Sequence, residues 1–210
     1  MEDVLALYSR PATPGVSRLC FDERPCQLLG DGLVPLPMQP GQSRKVDYEY
    51  VRQGTCVVLL AYDLERGQRY VQVRARRTKQ DYAEFMQWLV STHYPDVQKL
   101  LVVQDNLNTH SYGAFYDHLP CERAFDLRQR VEFHFTPKHA SWLNMAELEF
   151  AALVRQCLDR RLASQAELEC EVLAWQHERN AAATTIHWTF TVSDARHKLK
   201  RHYPSVNSSN

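Results

Sequence analysis

The 210-residue sequence has no apolar run long enough to cross a membrane. Its longest, Cys56-Val-Val-Leu-Leu-Ala-Tyr62, falls far short of the roughly 20 residues a spanning helix needs. Neither charge is in excess, since 25 Lys and Arg balance 25 Asp and Glu. A self-sufficient nucleic-acid binder usually carries a basic surplus. Any contact with DNA must therefore come from local basic patches or from a partner domain. None of the six cysteines, at 20, 26, 56, 121, 157 and 170, pairs at Cys-x-x-Cys spacing, which argues against a zinc knuckle or a thioredoxin-like centre. The phosphate loops G-x-x-x-x-G-K-[ST] and G-x-G-x-x-G are missing too. The start, Met1-Glu-Asp-Val-Leu, is acidic where a secretory signal would be basic. These absences lead us to expect a cytoplasmic chain with reduced thiols, with Cys20, Cys56, Cys157 and Cys170 acting as small buried hydrophobes.

What remains is ordinary globular composition, 44% hydrophobic and 24% charged in 24.5 kDa, enough for one domain with a real core. Residues 1–16 read as a lead-in, and Ser17–Asp22 as a strand. Residues 24–54 contain Pro25, Pro35, Pro37, Pro40 and Gly41, too many breakers for a long element. Thr55–Asp63 and Arg69–Arg74 read as strands joined by a turn at Glu65-Arg-Gly-Gln68. Thr78 and Asp81 form a variant capping box that opens a helix to about His93. Val97–Val103 suits a strand buried on both faces, and a helix is expected from Thr109 to His118. Val131–Phe135 alternates as a strand. Ser141 opens a helix to about Arg161, and Ser164 caps another to about Ala181. Ser193–Tyr203 reads as a short basic helix, and 205–210 as a disordered tail. This order predicts an α/β fold: a ribonuclease H-like mixed five-stranded sheet flanked by helices. Its domain plan is a core over 17–163 and a helical extension over 164–204.

Three acids stand out. Asp22 ends the first strand on the face of Cys20, opposite Phe21 and Glu23; it could equally be a solvent-facing acid. Asp105 follows the buried strand, where sites gather in open α/β sheets, although helix capping is the plainer alternative. In a continuous helix from Ser141, at about 100° per residue, Leu143, Phe150, Ala151, Val154 and Leu158 fall within about 60° of Glu147. Glu147 then lies on the apolar stripe and Glu149 on the polar side. An acid on such a stripe is costly unless it is paired, as with a buried arginine, protonated, or bound to a metal. Three carboxylates on separate elements could converge on Mg²⁺, which prefers oxygen ligands.

Cys20-Phe-Asp-Glu-Arg-Pro-Cys-Gln27, Asp47-Tyr-Glu-Tyr-Val-Arg-Gln-Gly-Thr55, Arg76-Arg-Thr-Lys79, Asp105-Asn-Leu-Asn-Thr-His110 and Thr136-Pro-Lys-His-Ala-Ser-Trp-Leu-Asn-Met-Ala-Glu147 together resemble DDE transposases. The resemblance is to the insertion-sequence 630 branch of the mariner superfamily. It implies a ribonuclease H-like core that cuts DNA and joins it to a target, with a preference for TA. It implies Asp22, Asp105 and Glu147 as the catalytic, metal-binding triad for Mg²⁺ or Mn²⁺, in two ions. Glu149 stays as the alternative third acid. Asn106, His110 and Asn144 fall in the same motifs as supporting or DNA-contacting groups. Arg76, Arg77, Lys79, Lys138 and His139 are candidate phosphate contacts, as are Arg74 and the tail residues Arg196, Lys198, Lys200 and Arg201. Arg160 and Arg161 read as a solvated face. Trp142 could stack on a base or be buried, while Trp88, Trp175 and Trp188 read as core. His134 and His139 are a weak zinc signal.

Such transposases also carry N-terminal helix-turn-helix modules, which these residues do not match. The expectation is a catalytic half that works on DNA ends by self-association or with a DNA-binding half. A nuclease that only nicks and an idle regulatory fragment are the competing readings.

Overall fold

The computed structural model describes residues 1–34, 40–41 and 47–203. Five strands form one sheet in the order β3-β2-β1-β4-β5: β1 (Val16–Asp31), β2 (Tyr50–Asp63), β3 (Arg69–Arg74), β4 (Lys99–Gln104) and β5 (Val131–Phe135). β1–β2 and β2–β3 are antiparallel, and β1–β4 and β4–β5 are parallel. This is the mixed, ribonuclease H-like sheet expected from the order of elements.

Strand pleating splits each apolar run between two cores. Cys20, Val58, Leu60, Tyr62, Leu101 and Val103 face one side. There they meet α1 (Glu2–Ser9), α5 (Ala146–Gln156), α6 (Gln165–Ala181) and α7 (Val192–Lys198). Leu19, Phe21, Val57, Leu59, Leu100 and Val102 face the other. That side is covered by α2 (Lys79–His93), α3 (Tyr112–His118) and α4 (Cys121–Arg130). The central strands are near-continuous apolar runs because both of their faces are covered.

Several elements differ from expectation. The lead-in contains α1, with Val4, Leu5 and Leu7 fully buried; its breakers, Pro11 and Pro14, come only after the helix. The first strand runs on to Asp31, and β2 begins at Tyr50, inside the stretch that looked too broken for long elements. Past Cys20, β1 pairs only with β2, so Pro25 sits where one side needs no ladder bond. A register shift at Leu28/Leu29 absorbs the irregularity. Pro35 and Pro37 lie outside the described residues, as does the 205–210 tail.

The Thr78–Asp81 capping box is formed and opens α2. α3 starts at Tyr112, leaving 105–110 as a loop. α4 was not anticipated, because only Ala124 and Leu127 mark its buried face. The helix expected from Ser141 to Arg161 is a short 3₁₀ turn over Ser141–Leu143 followed by α5, which ends at Gln156. The break is local: the Asn144 side chain accepts from the Ala146 N–H at 3.1 Å and restarts the helix. α7 is likewise shorter than expected, opened by a capping box in which Thr191 is the N-cap and Asp194 lies in the first turn. Cys170 is exposed rather than buried, whereas Cys20, Cys56 and Cys157 are buried; all six thiols are free.

Candidate active site

β1 and β4 run side by side, with Cys20 and Val103 as their last bonded pair. Asp22 and Asp105 each stand two residues beyond it. Residues two apart share a face, and neighbouring strands lie about 4.8 Å apart, so the register alone makes these acids neighbours. α5 packs on the same face through Phe150 and Leu153. Glu147 lies in its first turn, half-buried.

Asn144 joins the two elements. Its buried amide donates to the Phe21 carbonyl at 2.8 Å and lies 3.4 Å from Asp22 Oδ2, while its oxygen caps α5. The Tyr8 hydroxyl donates to the Leu143 carbonyl at 2.6 Å and touches Cys20 Sγ at 3.1 Å. Thus α1 ties the strand bearing Asp22 to the turn that delivers Glu147, a link with no signal in the sequence.

The electrostatics agree with this placement. Burial pushes the Asp22 carboxyl up to about 7, against the Glu23 backbone N–H that accompanies it; the charges of Glu147, Glu23 and Asp105 add to the rise. Asp105 is 35% exposed and accepts from His110 Nδ1 at 2.6 Å. The other ring nitrogen of His110 lies 2.9 Å from Glu23 Oε2. Burial alone would lower the His110 pKa, but Asp105 and then Glu23 outweigh it and raise it to about 9.

Glu149 corrects the helical phase read from sequence. Its carboxylate is buried and held by Arg69 at 2.8 and 2.7 Å and by Arg179 at 3.1 and 3.2 Å. The buried residues of α5 are Ala146, Glu149, Phe150, Ala152 and Leu153; Ala151 is exposed, and Val154 and Leu158 are half-buried. Leu143, used as a phase marker, is not on the helix at all. The buried arginine weighed as a partner for Glu147 exists, but it belongs to Glu149. With both oxygens engaged, Glu149 has little left for an ion, and Glu147, whose carboxylate has no hydrogen bond or ion pair among the described residues, is the free acid of the pair.

The basic candidates separate. A cavity of about 560 Å³ opens beside Asp105, lined by Asn106, Phe135, Lys138, His139 and Ser141 among others. Asn106, Lys138 and His139 are thus beside Asp105. Arg76 is exposed after β3, and Arg77 reaches Glu23 at 3.6 Å. Lys79 pairs with Asp117, Arg74 with Glu84, and Arg196 with Glu2. Lys198 lies over the Phe190 ring. Arg160 and Arg161 pair with Glu171 and Asp31. His134 bonds Asp3 of α1 at 2.7 Å, which gives it a structural task instead of zinc. Trp175 is buried, Trp88 and Trp188 are partly so, and Trp142 is 45% exposed while stacking on Trp188. Among the described residues, no three His, Cys, Asp or Glu side chains form a ready-made metal cage as they stand.

The sequence profile of the DDE superfamily endonucleases matches residues 17–169. The chain belongs to that family. No curated protein matched the sequence significantly. Many solved structures are similar in fold, three of them complexes of the Mos1 transposase. The Mos1 mariner paired-end complex with Mn is 14% identical at a TM-score of 0.55, over 86% of this chain and 54% of that one. The Mos1 transposase paired-end complex with the left transposon end is 14% identical at 0.54, over 86% and 54%. The Mos1 strand transfer complex is 13% identical at 0.55, over 86% and 56%. This family member therefore spans about half the length of the transposase chains it resembles.

Proposed function

We propose that this chain is the catalytic part of a DNA transposase of the insertion-sequence 630 branch, with Asp22, Asp105 and Glu147 as its metal-binding acids. The observation that carries the reading is the matched position of Asp22 on β1 and Asp105 just past the end of the parallel neighbour β4, with Glu147 brought beside Asp22 through Asn144. The donor chemistry fits Mg²⁺ or Mn²⁺, because all three donors are hard carboxylates. Asp22 also carries a charge that burial and its acidic neighbours disfavour, which a divalent cation would offset. Two such ions, when bound, activate a nucleophile and stabilise the leaving oxygen of a phosphodiester.

The chain's own residues then do the positioning. Asn144 fixes Asp22 and the start of α5 together. His110 holds one oxygen of Asp105. Lys138 and His139 beside Asp105, and Arg76 and Arg77 between β3 and α2, are the candidate donors for DNA phosphates, which set position without reading sequence. The partners in this reading are transposon ends and target DNA. Self-association, or association with a DNA-binding half, brings two ends together, and the helix-turn-helix function lies outside these residues. The setting is the bacterial nucleoid; no described helix is long and apolar enough to cross a membrane.

The test is joining of pre-cut, labelled DNA ends to a plasmid with Mg²⁺ or Mn²⁺. Wild type is expected to join, and Asp105→Asn to lose joining. Undiminished joining by Asp105→Asn would sink the assignment, and nicking without joining would favour the simpler nuclease.

A further inference from the structure

Behind Asp105, side chains of alternating charge form a row. Arg77 Nη1 lies 3.6 Å from Glu23 Oε1, Glu23 Oε2 lies 2.9 Å from His110 Nε2, and His110 Nδ1 lies 2.6 Å from Asp105 Oδ1. The Glu23 side chain is only 3% exposed and that of His110 only 2%. Burying a carboxylate is costly without partners. Glu23 gains none from the strand ladder, and its Oε2 makes no well-aligned hydrogen bond. The 2.9 Å approach to His110 is an ion-pair contact held by packing.

That packing leaves the imidazole no freedom. The Phe21 ring meets it edge-on at 5.3 Å, and the Tyr82 ring lies at 4.9 Å. Gln104 donates to the His110 carbonyl at 3.2 Å while accepting from the Tyr82 hydroxyl at 2.7 Å. Asp105 is the opposite case. It stands on a loop, partly in solvent, and among the described residues its carboxylate meets, apart from His110, only the Leu107 N–H, at 3.4 Å. A loop carboxylate so placed samples several rotamers unless something selects one.

We infer that Glu23 is a positioning residue which, through His110, fixes the Asp105 carboxylate in the orientation that receives a divalent cation. This rests on the reading of Asp105 as a metal ligand. Groups behind metal ligands orient them, and their loss typically costs about tenfold to a hundredfold in metal affinity. Glu23 adjoins Asp22 in sequence but acts on the other aspartate, because the pleat turns it to the opposite face. Arg77 closes the row from outside; its side chain is 56% exposed, so it contributes little.

The experiment is Mn²⁺ titration of the whole chain by calorimetry, without DNA, for wild type, Glu23→Ala, Glu23→Gln, Arg77→Ala and Asp105→Asn. Melting curves without metal accompany each. Glu23→Ala is expected to bind Mn²⁺ about tenfold or more weakly. Glu23→Gln, which keeps an acceptor for His110, should fall between it and wild type, and Arg77→Ala should stay within about twofold of wild type. Excess Mn²⁺ should restore DNA joining to Glu23→Ala but not to Asp105→Asn, a rescue that a merely structural defect would not show. If Glu23→Ala does not fold, Glu23→Gln decides. Wild-type affinity in the folded Glu23 variants, with binding lost in Asp105→Asn, overturns this inference alone. Wild-type affinity in Asp105→Asn overturns the metal reading and this inference with it.

Discussion

Replacing Glu149 by alanine separates the two glutamates of α5 by what each does. The change removes four close contacts, two to Arg69 and two to Arg179. Arg179 is 17% exposed and can recover water. Arg69 cannot: its side chain is fully buried, and it keeps only the carbonyls of Gly67 and Thr184 and the face of Tyr62. Stranding one partner of a buried ion pair costs about 3–5 kcal/mol. At about 2–4 °C per kcal/mol for a domain of this size, the midpoint should fall by roughly 10 °C. Glu147→Ala removes a half-buried carboxylate with no ion pair, and should cost less than about 1 kcal/mol while abolishing metal-dependent joining. Thermal melts and the joining assay on the same preparations decide. Equal stability of the two variants would refute the assignment, as would a Glu149→Ala protein that is as stable as wild type yet inactive.

Asp22 titrates near 7, above its unfolded value of 3.8, so its contribution to stability is full below about 3.8 and lost as pH rises through about 7. Metal-free Asp22→Asn should therefore melt higher than wild type at pH 8, and Mn²⁺ should raise the midpoint of wild type only; a lower midpoint for the variant would contradict the placement. His110, raised to about 9 from 6.5, stabilises fully below about 6.5 and loses that contribution through about 9. Metal-free His110→Gln should accordingly show a flatter stability profile between pH 6.5 and 9, and an unchanged slope in chemical denaturation would remove the ion-pair account. Leu5→Ala, at a fully buried position on α1, should cost about 2–5 kcal/mol in urea unfolding. A loss below about 1 kcal/mol would make that helix peripheral.

The sheet was legible because its central strands are apolar runs with clear breaks between them, and two of the five motifs fall just past the end of β4 and at the start of α5, with a third inside β1. α1 was obscured by the prolines that follow it, and the β1–β2 ribbon by prolines and glycines that a strand bonded on one side tolerates. α4 shows too narrow an apolar face to declare itself. Of the candidate site, Asp22 and Asp105 could be placed by strand position. The environments of Glu147 and Glu149 could not, because a 3₁₀ turn and the Asn144 cap reset the phase of α5. Glu23 and Tyr8 were invisible for another reason: their roles depend on His110, Cys20 and Leu143, contacts made only by tertiary packing.

The central claim is that Asp22, Asp105 and Glu147 share divalent ions. Anomalous diffraction from crystals of the chain grown with Mn²⁺ tests it directly. The account predicts Mn²⁺ peaks among these three carboxylates, about 4 Å apart if two ions bind, with Glu149 still clasped by Arg69 and Arg179. Mn²⁺ at Glu149, or bound with Asp22 and Asp105 left untouched, would contradict it.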